Sequence, residues 1–264
     1  IYIICVPTPF HNSEEIPTPN TDYVVSATKK ISKLIKNDDI VILESTSPVG
    51  TTDMIKNIFD SNQVNTEKVY IGYCPERVLP GKIMKELVEN ARVIGGINED
   101  STEEISNFYK TFVKGEILKT KARIAEMCKL TENSYRDVNI AFANELSIIC
   151  EKNKIDVWEL INLANHHPRV NILQPGTGVG GHCIAVDPWF IVSKNPKETP
   201  LIKTARNVND NKPKWVINKI ETEAGYINTK KIACFGLSFK PDIDDLRESP
   251  AIKVVNSLIE KGYD

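Results

Sequence analysis

The chain has 264 residues, 41% hydrophobic and 26% charged, which is enough apolar material for a substantial core and for more than one domain. Its 33 basic and 35 acidic side chains leave a net charge of -2, so there is no general electrostatic reason to bind nucleic acid or an anionic membrane. No apolar run approaches the ~20 residues of a membrane span, and the six scattered cysteines form no C-x-x-C pair, which argues against a zinc ribbon or disulfide scaffold and fits a reducing cytoplasm.

The chain opens in mid-strand with "IYIICV", without an initiator methionine, charged leader or cleavage site, the pattern expected of a fragment. A helix follows over 23–36, then a strand at "IVILES", a helix after Thr51, a strand at "VYIGY" and another at "ARVIGG". This alternation predicts a parallel sheet with crossover helices. Polar turns close three of the strands: Val6-Pro7-Thr8-Pro9, Ser45-Thr46-Ser47-Pro48 and Cys74-Pro75-Glu76-Arg77. Doubly wound sheets bind ligands at the carboxyl ends of their strands, so three such turns suit one crevice, although Pro, Ser and Thr gather in any surface turn.

From 121 to 164 the sequence predicts one long helix and a shorter one, with a break at 153–156. Lys129, Asn133 and Arg136, at i, i+4 and i+7, share one face, either solvated or functional. The stretch "NIAFANELSIIC", 139–150, is apolar enough to pack between subunits. The loop "NHHPRVNILQPG" leads to "GTGVGGHCIAVDPWF", whose glycines permit φ angles closed to other residues and a close approach to a ligand, bringing Cys183 within a substrate's reach. "GTGVGG" is not a dinucleotide fingerprint, because it follows a proline-broken loop and opens no helix. A helix is expected over 201–223. The closing segment from Lys230 predicts a strand, a long polar turn and a helix starting near Ser249-Pro250, the beginning of a second α/β domain.

A lone cysteine is more often a small buried hydrophobe than a catalyst. Cys183 departs from that pattern: glycines precede it, Asp187 follows, and a cation such as Lys129 nearby would raise its thiolate fraction. Residue types alone leave open a cysteine hydrolase that uses His182 or His167 as base.

Four blocks, "CPERVLPGK", "AEMCKLTENSYRDVNIAFANEL", "HHPRVNILQPGTGVGGHCIAVDPWFI" and "FGLSFKPDIDDLRESPA", together resemble the UDP-glucose/GDP-mannose dehydrogenase family, in the family's own order and from Val6 to the C-terminus. The fold the resemblance implies is α/β: two Rossmann-like domains joined by a long-helix central dimerisation domain, both terminal domains incomplete in this chain. The implied boundaries are 1–118 for the rest of the NAD-binding domain, 119–213 for the central domain and 214–264 for the start of the UDP-sugar-binding domain.

The implied activity is NAD-dependent, four-electron oxidation of a sugar C6 hydroxyl to the carboxylate. Within the family the likeness is greatest to enzymes that oxidise UDP-N-acetyl-D-mannosamine to its uronate for polysaccharide biosynthesis. UDP-N-acetylglucosamine, UDP-glucose, or nucleotide-sugar binding without catalysis are the alternatives. By the family pattern Cys183 carries the thiohemiacetal and thioester, Lys129 transfers a proton, Asn133 and Asp187 position water or the oxyanion, and Glu76 lies near the hydrolytic water. Substrate contacts fall to Arg77, Val78, Lys129, Asn133, Arg136, His167, Arg169, Gly180, Phe239 and Lys240, with His167 and Arg169 reaching the partner subunit's site. Cofactor contacts fall to Thr8, Thr46 and Arg247, and no metal is implied. UDP-glucose enzymes place a second acid where this chain has Pro80, which argues against UDP-glucose. The implied setting is a cytoplasmic homodimer or higher homo-oligomer built through the central helices.

Overall fold

The computed structural model describes residues 1–11, 16–78, 81–240 and 244–264. Pro80 lies outside the described residues. The chain divides into two units, Ile1–Thr131 with Trp189–Lys194, and Glu132–Pro188 with Asn195–Asp264.

The first unit is built on a five-stranded sheet of β1 (Tyr2–Ile4), β4 (Ile40–Leu43), β5 (Tyr70–Tyr73), β6 (Arg92–Gly96) and β7 (Ile117–Lys121), in that spatial order. A separate two-stranded pairing, β2 (Phe10–His11) with β3 (Thr18–Pro19), follows β1. β1, β4 and β5 pair in parallel as the alternation predicts, through the crossover helices α1 (Asp22–Ile31) and α2 (Thr51–Ser61). The expectation of an all-parallel sheet fails at β6, which runs antiparallel to β5, with Gly72 opposite Gly96 and Tyr73 opposite Gly95. The packing there explains the pair of glycines, since a Cβ on Gly72 would stand 2.7 Å from the Gly95 carbonyl and 2.5 Å from Ile105. Beyond α3 (Ile83–Glu89) and α4 (Glu99–Lys110), β7 pairs in parallel with β6.

Period-two alternation sends the strand residues to two cores. Ile4, Val41, Leu43, Ile71 and Tyr73 meet Val24, Ile55 and Phe59 of α1 and α2. Ile42, Cys74 and Ile94 meet Ile105 and Tyr109 of α4 on the other face. Such two-faced coverage is what a doubly wound sheet requires.

The long helix α5 (Ala122–Asn153) passes from the first unit into the second, and α6 (Val157–Ala164) follows, capped by the Asp156 side chain on the amides of Trp158 and Glu159. The 153–156 break was legible because Asp156 is a strong N-cap. Along α5, Tyr135, Phe142 and Ile149 recur every seven residues and are all about half exposed or more. In the second unit α8 (Pro200–Tyr226) and α9 (Pro250–Glu260) pack through Ile217, Val254 and Leu258. α7 (Asp187–Lys194), which the sequence reading missed, begins at Asp187.

The strand expected after Lys230 does not form a ladder. Residues 229–237 carry no regular structure and Phe235 is 97% exposed. Among the described residues the one trace of pairing is a parallel bridge, Asp264 N–H to the Lys230 carbonyl at 2.7 Å and Ile232 N–H to the Asp264 carbonyl at 2.8 Å. A strand is stable only where neighbours take its backbone groups.

Candidate functional site

The candidate residues fall in two groups, one in each unit. In the first unit the three polar turns do lie at the carboxyl ends of parallel β1, β4 and β5. The first two are tied together: Val6 N–H donates to Ser45 Oγ at 2.7 Å, and Thr8 Oγ1 donates to the Thr46 carbonyl at 2.7 Å. The Ser45 hydroxyl is thus held from both sides, accepting from Val6 N–H and donating to the Ile4 carbonyl, while Thr8 Oγ1 donates to the backbone and can still accept from a ligand.

α5 pins two of the turns. Glu126, fully buried, accepts from Gly50 N–H (2.6 Å), Thr52 N–H (2.8 Å) and Thr52 Oγ1 (2.7 Å), and so caps α2 in place of its glycine N-cap. Burial pushes this carboxyl above its usual range against the pull of those donors. One turn on, half-buried Lys129 donates to the Glu76 carbonyl at 2.8 Å. The Glu76 carboxylate in turn accepts from Val78 N–H, folding the Glu76–Val78 turn on itself. Arg77 reaches the Ala91 carbonyl at 3.3 Å and its own carbonyl accepts from Asn90. Because it is half buried and bonded, Lys129 does not belong to a solvated helix face.

In the second unit Asn133 Nδ2 donates to Asp187 Oδ2 at 2.5 Å, and both residues are buried. The solvated-face reading fails here too, while Arg136, the third residue of that face, is exposed. Asp187 is joined to the cysteine through the backbone: its N–H, at 2.8 Å, and that of Val186, at 3.0 Å, both donate to the Cys183 carbonyl, closing the turn that starts α7. Cys183 is half buried. Beside it, His182 Nδ1 stands 4.0 Å from Asp245, whose carboxylate is gripped by Arg247 through Nε at 2.9 Å and Nη2 at 2.6 Å. That grip holds the Asp245 carboxyl down at about 2. The hydrogen bonds to the Asp245 carboxylate in turn raise the Arg247 pKa.

The glycine run requires a correction. Its close approach is to the chain itself. A Cβ on Gly180 would lie 2.6 Å from Phe239 Cβ, 2.7 Å from the Glu248 carbonyl and 2.8 Å from Pro250 Cδ. Gly181, at φ +83, lies against the Phe239 ring, and its N–H donates to the Arg247 carbonyl at 3.0 Å. Gly178, at φ +138, sits against Pro213 and the Asn209 carbonyl, which Pro213 leaves without its helical donor. Thus Gly180 and Phe239 are brought together as packing partners. Lys240 lies beside the Phe239 ring, its Nζ 5.9 Å from the centroid. His167 and Arg169 are exposed on the turn after α6, where Arg169 N–H donates to His167 Nδ1 at 3.3 Å.

Residues that sequence reasoning missed form a buried network in the second unit. Asp137 and Arg206, both fully buried, form an ion pair at 2.5 Å; Asn209 donates to Asp137 Oδ1 at 2.8 Å, and Asn144 to Asn209 at 2.8 Å. A signal was present. Glu126, Leu130, Asn133, Asp137, Ala141 and Asn144 recur at steps of three and four, and all are buried, so polar residues occupy half or more of a core stripe.

Comparison with known proteins gives three matches to one family. Its NAD binding domain matches residues 1–113, its central domain 123–211 and its UDP binding domain 233–264, all described as UDP-glucose/GDP-mannose dehydrogenase family. The UDP-N-acetyl-D-mannosamine dehydrogenase of Campylobacter jejuni is 58% identical over 99% of this chain and 66% of its own length. An NDP-N-acetyl-D-galactosaminuronic acid dehydrogenase of Ralstonia nicotianae is 51% identical over 98% of this chain and 63% of its own. Among solved structures, UDP-D-ManNAc dehydrogenase from Pyrococcus horikoshii superposes with a TM-score of 0.90 at 38% identity, covering 98% of this chain and 62% of that one. The chain thus spans just under two thirds of the length of the curated relatives it matches.

Proposed function

The chain belongs to the UDP-glucose/GDP-mannose dehydrogenase family, and from that premise we propose that the whole protein oxidises the C6 hydroxyl of UDP-N-acetyl-D-mannosamine to the carboxylate with NAD. The observation that carries the reading is the buried Asn133–Asp187 pair joined through one turn to half-buried Cys183. A buried carboxylate and amide beside a reachable thiol suit a site that orients water and a developing oxyanion.

The residues fit NAD as far as this sequence goes. Parallel strand ends with hydroxyl-bearing turns are where doubly wound sheets take dinucleotides, and Thr8 and Thr46 lie there. The α2 N-terminus is not the phosphate cradle, since Glu126 already occupies its donors. When bound, NAD supplies the hydride acceptor for each of the two oxidation steps.

Everything else falls to the protein. The Cys183 thiolate adds to the C6 aldehyde carbon, making a thiohemiacetal that keeps its C–H bond. Loss of that hydrogen with its electron pair, together with the hydroxyl proton, gives a thioester, and water cleaves the thioester to the carboxylic acid, returning the thiol. Lys129 takes the hydroxyl proton and stabilises the alkoxide by charge; Asn133 and Asp187 hold the oxyanion or water, and Glu76 holds the hydrolytic water. Arg77, Val78, Arg136, His167, Arg169, Phe239 and Lys240 hold the nucleotide sugar, with Gly180 giving Phe239 the room to pack, and guanidinium groups suit the pyrophosphate. Arg247 is the third cofactor contact, on release from Asp245.

The domain boundaries we propose are 1–118, 119–213 and 214–264. The half-exposed heptad of Tyr135, Phe142 and Ile149 supports homo-oligomerisation through the central helices. Six free cysteines support a reducing cytoplasm, and no helix among the described residues is long and apolar enough to cross a membrane.

The test is NADH absorbance with UDP-N-acetyl-D-mannosamine, UDP-N-acetylglucosamine and UDP-glucose in parallel. The reading expects the highest kcat/KM for the first; a preference for UDP-glucose, or absence of NADH with all three, overturns it.

A further inference from the structure

The loop that carries Cys183 is tied at both ends to one buried network. Asn144 of α5 accepts from Gly176 N–H at 2.8 Å, where the glycine run begins. Arg206 of α8 donates through Nη1 to the carbonyl of Ile184, the residue after Cys183, at 3.5 Å. Between these two anchors run Arg206 to Asp137, Asn209 to the Asp137 carboxylate and carbonyl, and Asn144 to Asn209. Lys212, 3% exposed, backs the network by donating to the Asn144 carbonyl at 3.3 Å and stacking 4.0 Å above the Trp215 ring.

Stability does not explain this arrangement. Asp137 and Arg206 have no accessible surface, and burying such a pair costs desolvation that apolar residues of similar volume would avoid. The network is also incompletely satisfied, because Asp137 Oδ2 and Arg206 Nε are buried without a hydrogen-bond partner. Desolvation pushes the Asp137 carboxyl up to about 6 despite the guanidinium beside it. What the charges provide instead is direction. A planar guanidinium bonded to Asp137, Asp210 and Ile184 together fixes where the backbone next to Cys183 must lie.

We infer that Asp137 and Arg206 are positioning residues whose task is to hold the 176–187 loop so that Cys183 presents its sulfur to the substrate. The inference deepens the proposed function and rests on Cys183 being the nucleophile. Neither residue takes part in the chemistry.

The test pairs hydrogen exchange with kinetics in the whole purified protein. The double variant Asp137→Leu/Arg206→Met removes both buried charges at once and is expected to fold with a melting temperature near wild type. Exchange of the amides of Val186 and Asp187 should nonetheless rise about tenfold, the ratio for losing roughly one net hydrogen bond, while amides of β4 and β5 stay unchanged. In parallel kcat should fall about tenfold or more with KM for NAD within about twofold, since a misplaced nucleophile affects the chemical step and not the cofactor. A folded double variant whose loop exchanges at the wild-type rate overturns the inference. Should that variant not fold, Arg206→Lys decides, because it keeps the charge on Asp137 but cannot span three acceptors: faster exchange at 186–187 supports the inference, and unchanged exchange sinks it. Full turnover by Cys183→Ser would instead sink the catalytic reading and leave the exchange result standing.

Discussion

Gly180→Ala separates a ligand-facing glycine from a packing glycine. The added methyl would stand 2.6, 2.7 and 2.8 Å from Phe239 Cβ, the Glu248 carbonyl oxygen and Pro250 Cδ. Carbon atoms pack comfortably at about 3.5–4.0 Å, so the methyl intrudes by roughly 1 Å on three sides. None of the three neighbours is the end of a flexible side chain, and the intrusion must be relieved by moving the backbone at Phe239 and at 248–250. Overpacking on this scale costs about 3 kcal/mol, the upper end of what cores tolerate. Gly225→Ala is the control: nothing lies within 4 Å of its Cβ, and the glycine is inside α8. It should stabilise by about 0.5 kcal/mol through helix propensity. Denaturant titration of both variants reads the difference. Equal stability of Gly180→Ala and wild type, to within about 0.5 kcal/mol, would refute the packing argument.

Cys5 is exposed, as Cys234 is, but desolvation by the surrounding chain and then Glu44 push its thiol up to about 11, so at pH 7.5 about one molecule in three thousand carries the thiolate there. Cys5 should therefore alkylate slowly, faster with each pH unit toward 11 and faster in Glu44→Gln; mass spectrometry showing Cys5 labelled before exposed Cys234 at pH 7.5 contradicts this. Lys129→Ala should lower kcat by ~10²–10³ as a charge partner of the transition state is lost, and an unchanged kcat would leave Lys129 only its tie to the Glu76 carbonyl. Glu126→Ala leaves Gly50 N–H, Thr52 N–H and Thr52 Oγ1 buried without their acceptor and should destabilise by about 3 kcal/mol; a loss under about 1 kcal/mol in urea titration would show that water takes over the cap.

The sequence showed whatever local periodicity dictates. Strands β1, β4, β5 and β6, the α5–α6 break and the α9 start at Pro250 all follow from alternation, capping or proline placement. Strand direction is different, because β6 reads the same whichever way it runs, and its antiparallel pairing with β5 is visible only in the register. α7 was hidden because "CIAVDPWF" has the β-branched and aromatic content of a strand, while its helix starts from the Asp187 turn on Cys183. At the site, Cys183, Asp187, Lys129 and Asn133 stood out by type and spacing. Arg206 and Asp137 did not, since they are 69 positions apart and meet only through tertiary packing.

The most direct measurement is an acid quench of the whole enzyme during turnover with UDP-N-acetyl-D-mannosamine and NAD, followed by peptide mass spectrometry and a count of NADH per sugar. The account predicts two NADH per uronate and an acyl adduct on the Cys183 peptide that is absent in Cys183→Ser, whose four-electron turnover falls below about a tenth of wild type. An adduct on another residue, or a Cys183→Ser enzyme that still yields the uronate at the wild-type rate, would contradict it.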